Sequence, residues 1–174
     1  MMLINKLQVV GRSYLLLCLM VLIVSEVAQA QKCEISNADL DAMPEVIVQF
    51  DYANGEQLQV AARLADNTRT RAAGFQKICA QTIAQQPILF VFQRQTKPSF
   101  HMRNVVASLA IAFIKKNGEI DSIQAMSPYV LGSTRRPLYS PQRAVIAALE
   151  VYPEFYSERK IDTTVSISWH PPSE

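Results

Sequence analysis

Histidine is nearly missing from this chain: its 174 residues contain only His101 and His170. Without a third ligand motif, two histidines are too few for a catalytic zinc centre, which takes three protein ligands and an open position. Glycine is also sparse, at five residues, and none of them forms the clustered loop that cradles phosphates. The three cysteines include no C-x-x-C pair, so dithiol redox chemistry and zinc ribbons are excluded. Serine nucleophiles lack context, because there is no G-x-S-x-G turn and no Asp/His pair at a suggestive spacing. The basic residues, among them Arg63, Arg94, Lys97, Arg135 and Arg143, are scattered with no run and no interleaved aromatics. Nucleic acid is therefore not an expected partner.

What the chain does have begins with a leader. Lys6 and Arg12 form a basic start, Tyr14 to Val24 is an unbroken apolar run, and Ala28-Gln29-Ala30 reads as a small-x-small cleavage site. The run is shorter than the roughly 20 residues of a membrane span, so residues 1–30 are expected to be a signal peptide and the mature chain to have no stable span. A retained anchor is the alternative. Cys18 leaves with the signal, since the large Leu17 before it does not suit lipoprotein processing. The expected location is periplasmic or secreted. Two cysteines remain, Cys33 and Cys79, and an even count in an exported protein points to a disulfide; two unrelated buried thiols are the alternative.

Residues 31–174 read as one β-rich domain. Gln31 to Met43 is polar and expected to be a tail or loop ending at Pro44. EVIVQF and LQVAARLA form a hairpin across Asn54-Gly55. In the second of these strands Leu58, Val60, Ala62 and Leu64 face inward. Asp66 or Asn67 caps a short helix that stops at Gly74. ILFVF has no polar alternation, which suits a strand covered on both faces. After a polar turn, QRQTKP, comes SFHM, where alternation puts Phe100, Met102 and Asn104 on one face and His101 and Arg103 on the other. LAIAFI, apolar on both faces, turns at Asn117-Gly118 into the strand EIDSIQAM. Pro128 to Pro141 is a long loop, either a functional flap or a mobile connection. AVIAALEV sets Val145, Ala147, Leu149 and Val151 on one face and Glu150 among Ile146 and Ala148 on the other. A second short helix runs from Pro153 to Arg159, and VSISW closes the domain with Val165, Ile167 and Trp169 inward. Many short strands, two short helices and no βαβ alternation predict a mainly antiparallel β sandwich or barrel-like fold.

The order of motifs resembles the family known as domain of unknown function number 192. R-x-x-G, ILFVF, F-H-M-R-N, L-x-I-A-F-I, N-G, Q-A-M and A-L-E-V carry the resemblance from about Leu58 to Trp169. The matching positions are Arg71, Gly74, Phe100, Met102, Asn104, Ile111, Phe113, Met126 and Glu150. The resemblance implies a compact, mostly β fold with no established activity. It departs at two positions: His101 stands where the family usually has tryptophan, and Ala110 where it usually has aspartate. If that aspartate serves as an acid or base in the family, this chain lacks it.

One polar set remains as a candidate site: Arg71, His101, Arg103, Asn104, Tyr139 and Glu150. Its bland reading is a buried network tying helix and loop to the sheet; its functional reading is the lining of a ligand groove. Glu150, drawn inward by alternation, is expected to pair with Arg103, Arg71 or backbone donors. His101, Met102 and Met126 offer ligands for a soft ion such as Cu(I), but adjacent strand residues point to opposite faces, and methionine is commoner in cores. No metal and no cofactor is assigned. The first functional reading is a non-enzymatic exported module binding a small molecule, glycan or protein segment. The alternative is an envelope-associated hydrolase using Glu150 with His101. Mass spectrometry of the exported protein should find its first residue to be Gln31; a chain that still begins at Met1 would establish the retained anchor instead.

Overall fold

The computed structural model of the protein describes residues 32–130, Gly132 and residues 134–172. The expected leader, residues 1–30, lies outside the described residues. In chain order the elements are α1 (Ala38–Asp41), β1 (Glu45–Asp51), β2 (Gln57–Ala65), α2 (Thr68–Ala73), α3 (Ala80–Gln85), β3 (Ile88–Thr96), β4 (Phe100–His101), β5 (Leu109–Ile114), β6 (Ile120–Met126), β7 (Leu138–Tyr139), β8 (Val145–Val151), α4 (Phe155–Glu158) and β9 (Ser166–His170).

Seven strands form one sheet in the order β6-β5-β8-β3-β2-β1-β9, and β4 pairs with β7 in a small second sheet. The edges of the large sheet meet at one end. Glu119 bridges Ser166, and the Ile167 amide donates to the Gly118 carbonyl at 2.8 Å. The sheet therefore rolls into a barrel closed at that end. The barrel interior is one cluster to which these strands contribute alternate residues: Val48 and Phe50, Ala62, Leu89, Ala110, Ala112 and Ile114, Leu149 and Val151, and Ile167. Phe155 and Tyr156 of α4 join it, and the Tyr156 hydroxyl donates to the Leu149 carbonyl at 2.7 Å and accepts from the Ala112 amide at 3.2 Å. A second cluster covers the outer face. Leu109, Ile111, Phe113, Ile88 and Phe90 from the strands meet Leu40, Met43, Phe75, Ile78 and Ile83 from the N-terminal and helical segments. LAIAFI is buried at all six positions and divides its side chains between the two clusters as its pattern requires.

The mainly β, single-domain architecture agrees with the pattern, but several expectations need correction. The sheet is mainly antiparallel as expected, but one pair, β2 with β3, runs parallel through Arg63–Ile88, Leu64–Leu89 and Ala65–Phe90. Parallel neighbours need a crossover, and residues 66–87 supply one through α2 and α3, so a βαβ unit is present after all. Four short helices occur among the described residues, not two. In α1 the Asn37 side chain accepts from the amides of Asp39 and Leu40, and Leu40 is buried; four residues are too few to show a helical period. α3 follows Cys79, its N-cap residue, whose disulfide to Cys33 is formed as the cysteine count suggests, and is tied down where Thr82 Oγ1 donates to the Ile35 carbonyl at 2.7 Å. β3 extends through the polar QRQT, so the turn begins later than expected. SFHM is extended only to His101, so Asn104 does not share the face of Phe100 and Met102: it sits in a turn at φ 60° and is exposed. At the start of β8 the expected faces are reversed, with Val145 in the outer cluster and Ile146 against the inner one, beside an irregularity in the pairing of β3 with β8. The long loop is pinned to β6, where the Gln124 side-chain amide donates to the Ser140 carbonyl at 2.8 Å, and just beyond it Asp121 Oδ2 accepts from the amides of Gln142 and Arg143.

Gly118 serves both the hairpin turn and the closure. Its φ is +86°, and a Cβ there would lie 2.8 Å from the Ile167 carbonyl oxygen. Gly55 has nearly the same φ, +87°, with nothing within 4 Å of its would-be Cβ. Gly55→Ala should therefore report the backbone strain alone, about 1–3 kcal/mol, and Gly118→Ala should lose more. Equal shifts in denaturation midpoint would show the closure contact to be slack.

Candidate functional site

The site is a gap in the outer layer of the barrel. α2 crosses that face because Asn67 caps it, with the Thr70 side chain completing a capping box, and it stops at Gly74 with φ +49°. On the helix, Arg71 Nη1 donates to the carbonyls of Asp66 and Val91, the latter at 3.1 Å. Its guanidinium lies 5.8 Å from the Phe92 ring centroid. β3 contributes Phe90 and Phe92 from one face, and β4 adds Phe100, whose ring meets Phe90 edge-on at 5.0 Å between centroids. These elements enclose a cavity of about 330 Å³ with a clear gradient of depth. Phe75, Phe90, Val105 and Glu150 form its buried floor, Arg71, Gln76, Phe92 and Phe100 its half-buried walls, and Thr68, Ser99 and His101 its exposed rim.

Glu150 is 5% exposed. Its backbone lies between Ile88 of β3 and Ile111 of β5, and alternation turns the side chain to the outer layer, as the sequence predicts. The expected partner is missing. Among the described residues no ion pair or hydrogen bond engages the carboxyl group. Arg71 is committed to two backbone carbonyls, and Arg103 is exposed outside the cavity. No sealed side-chain oxygen or nitrogen lacks a partner among those residues, so the carboxyl oxygens keep contact with the cavity. The group persists by holding its proton: burial disfavours the charged form and pushes its pKa up to about 8.

The cavity thus collects three of the six expected site residues, Arg71, His101 and Glu150. The other three do not line it. Arg103 faces solvent. Asn104 braces the wall from outside, its side-chain amide donating to Gln76 Oε1 at 3.1 Å and its carbonyl accepting from the Lys77 amide at 2.7 Å. Tyr139 pairs with Phe100 across the small sheet, and its hydroxyl accepts from the Ser127 amide at 3.1 Å. His101 is exposed whereas Met102 is buried beside Met126 in the outer cluster, so these three do not converge as a metal set. Among the described residues no group of three His, Cys, Asp or Glu is placed to hold a metal ion. The sequence pattern missed the phenylalanine walls. Phe90 and Phe92 stand two apart in ILFVF, which places them on one face but does not reveal that the face is left partly uncovered.

The proton on Glu150 has a consequence for stability. The folded chain keeps a proton that the unfolded chain loses above its ordinary value of 4.5, so this group makes stability fall as pH rises from about 4.5 to about 8. The loss between pH 4.5 and 7 is on the order of 3 kcal/mol. Glu150→Gln keeps the shape and removes the ionisation. Urea titrations should find wild type and variant alike near pH 4 and the variant more stable above pH 7; parallel pH profiles would show that the carboxyl group is not desolvated.

A family model, domain of unknown function 192, described as Uncharacterized ACR, matches residues 50–169. No curated protein matches the chain by sequence. Two solved structures share its fold. One is a Sinorhizobium meliloti 1021 protein described as a proposed transcription regulator, with a TM-score of 0.64 and 18% identity over 73% of this chain and 95% of that one. The other is a protein of unknown function from Novosphingobium aromaticivorans DSM 12444, with a TM-score of 0.61 and 19% identity over 78% of this chain and 99% of that one.

Proposed function

The chain belongs to the domain of unknown function 192 family, and from that premise we propose a non-enzymatic binding module that takes a small molecule into the cavity beneath α2. The carrying observation is Glu150: a buried carboxyl group that faces a hollow with aromatic walls and has no protein partner among the described residues. Such a group costs folding free energy, and a fold that retains one is spending stability on something other than packing. The cavity also has the anatomy of a ligand site, with aromatic walls and a few polar groups at different depths. Its volume of about 330 Å³ suits a compact molecule better than a glycan chain or protein segment, the other ligands the sequence allows. Export to the periplasm or beyond belongs to the same reading, supported by the leader pattern and by the Cys33–Cys79 disulfide.

A hydrolase is the second reading, favoured by one observation: an acid with its pKa near 8 is poised to deliver a proton. Against it, among the described residues Glu150 is the one acidic side chain lining the cavity, and His101 is at the exposed rim rather than beside it.

A thermal-shift screen of small neutral, anionic and cationic compounds tests both. A true ligand at a hundredfold excess over Kd contributes about 2.7 kcal/mol, enough to raise Tm by several degrees. The shift should shrink in Phe92→Ala, and the compound should be recovered unchanged. Equal shifts in wild type and Phe92→Ala would place binding elsewhere, whereas conversion of the compound would establish the hydrolase.

A further inference from the structure

The cavity's chemistry narrows the class of ligand, on the premise that it is a binding site. Glu150 sits on the floor with Phe75 and Phe90, and Phe100 closes one wall. A phenyl ring presents a negative face, which favours a cation that has shed its water. A carboxyl group without donors, once ionised, can only accept hydrogen bonds. Both features fit a positively charged nitrogen at the floor. On the wall the fixed charge is of the opposite sign: Arg71 is held by the Asp66 and Val91 carbonyls against Phe92. A second positive charge on the ligand would meet it unfavourably, whereas a neutral or anionic tail would not.

We infer that the cavity takes a small organic ammonium ion, seated with its nitrogen against the Glu150 carboxyl group and its tail toward Arg71, and that binding displaces the Glu150 proton into solvent. In that exchange the ammonium keeps its own protons. The O–H bond of Glu150 breaks, the proton goes to buffer, and a carboxylate–ammonium pair is left in the cavity. The floor acid holds its proton only to about pH 8, so giving it up at pH 7 weakens binding by a factor of only about ten. A buried charge pair with good hydrogen bonds can offset that.

The groups around Glu150 leave its titration legible. α2 presents the Arg71 guanidinium, and β4 presents His101 at the rim. β3 and β5 flank it with Ile88 and Ile111. α4 supplies Tyr156, whose pKa burial pushes far above its ordinary value, so it keeps its proton.

The probes are n-butylammonium and 5-aminopentanoate, compared with pentanamide and pentanoate, by calorimetry in phosphate and HEPES. The two ammonium compounds should bind with release of about 0.9 proton at pH 7. Their affinity should rise about tenfold from pH 6 to 7 and level off above pH 8. Glu150→Gln should abolish the release and weaken both at least tenfold, whereas Arg103→Gln, outside the cavity, should leave release and affinity unchanged. Ammonium binding without proton release, in the wild type and with no variant needed, overturns the inference. Binding confined to pentanamide or pentanoate also overturns it but leaves the cavity a binding site. Silence from all four overturns the binding reading along with it.

Discussion

The structure depends on one constraint: its central strands are apolar on both faces, and both faces must be taken out of water. LAIAFI, buried at every position, cannot lie in a sheet that is wet on one side. Rolling the sheet into a barrel buries one set of side chains. The other set faces outward and needs a second layer, built here from α1 to α3, the disulfide-linked N-terminal segment and the residues around Met102. At about 25 cal/mol for each Å² of apolar surface removed from water, leaving either face bare would exceed the net stability of a domain this size.

The cavity is the place where that second layer is incomplete. Gly74 ends α2 above Glu150, so near that an added Cβ would lie 3.8 Å from the carboxyl oxygen. A larger helical residue in this place, reaching inward, would fill part of the hollow. The chain instead turns away, and Asn104, Gln76 and Tyr139 hold the surrounding walls apart. The polar residues that looked like a ligand set in the sequence thus divide into two jobs, three of them facing the hollow and two keeping its frame, with Arg103 in neither.

The two apolar faces of ILFVF and LAIAFI, the turn at Asn117-Gly118 and the helix between Asn67 and Gly74 were legible because each rests on local rules of alternation, capping and positive φ. The inward position of Glu150 followed from the same alternation. Its protonation did not, because that depends on donors that fail to arrive from α2 and from the turn at Arg103, a fact of tertiary placement. The parallel pairing of β2 with β3 was illegible for a similar reason: no residue in LQVAARLA says which strand will lie beside it. The short helices at Ala38 and Ala80 are held by long-range ties, the buried Leu40, the Thr82 hydroxyl and the Cys79 crosslink, rather than by any period of their own.

The pairing of β1 with β9 joins Ile47 to His170 and Asp51 to Ser166, so the first and last strands of the barrel are neighbours. Contacts that span almost the whole domain form slowly, since the loop entropy must be met before they are rewarded. Until β9 is available, β1 is an edge strand carrying Val46, Val48 and Phe50, a template for pairing with other chains. The N-terminal strand leaves the ribosome first, and the barrel completes only when the last strand has followed. A chain cut short before Ser166 would therefore be a danger to its neighbours rather than merely a weaker version of itself.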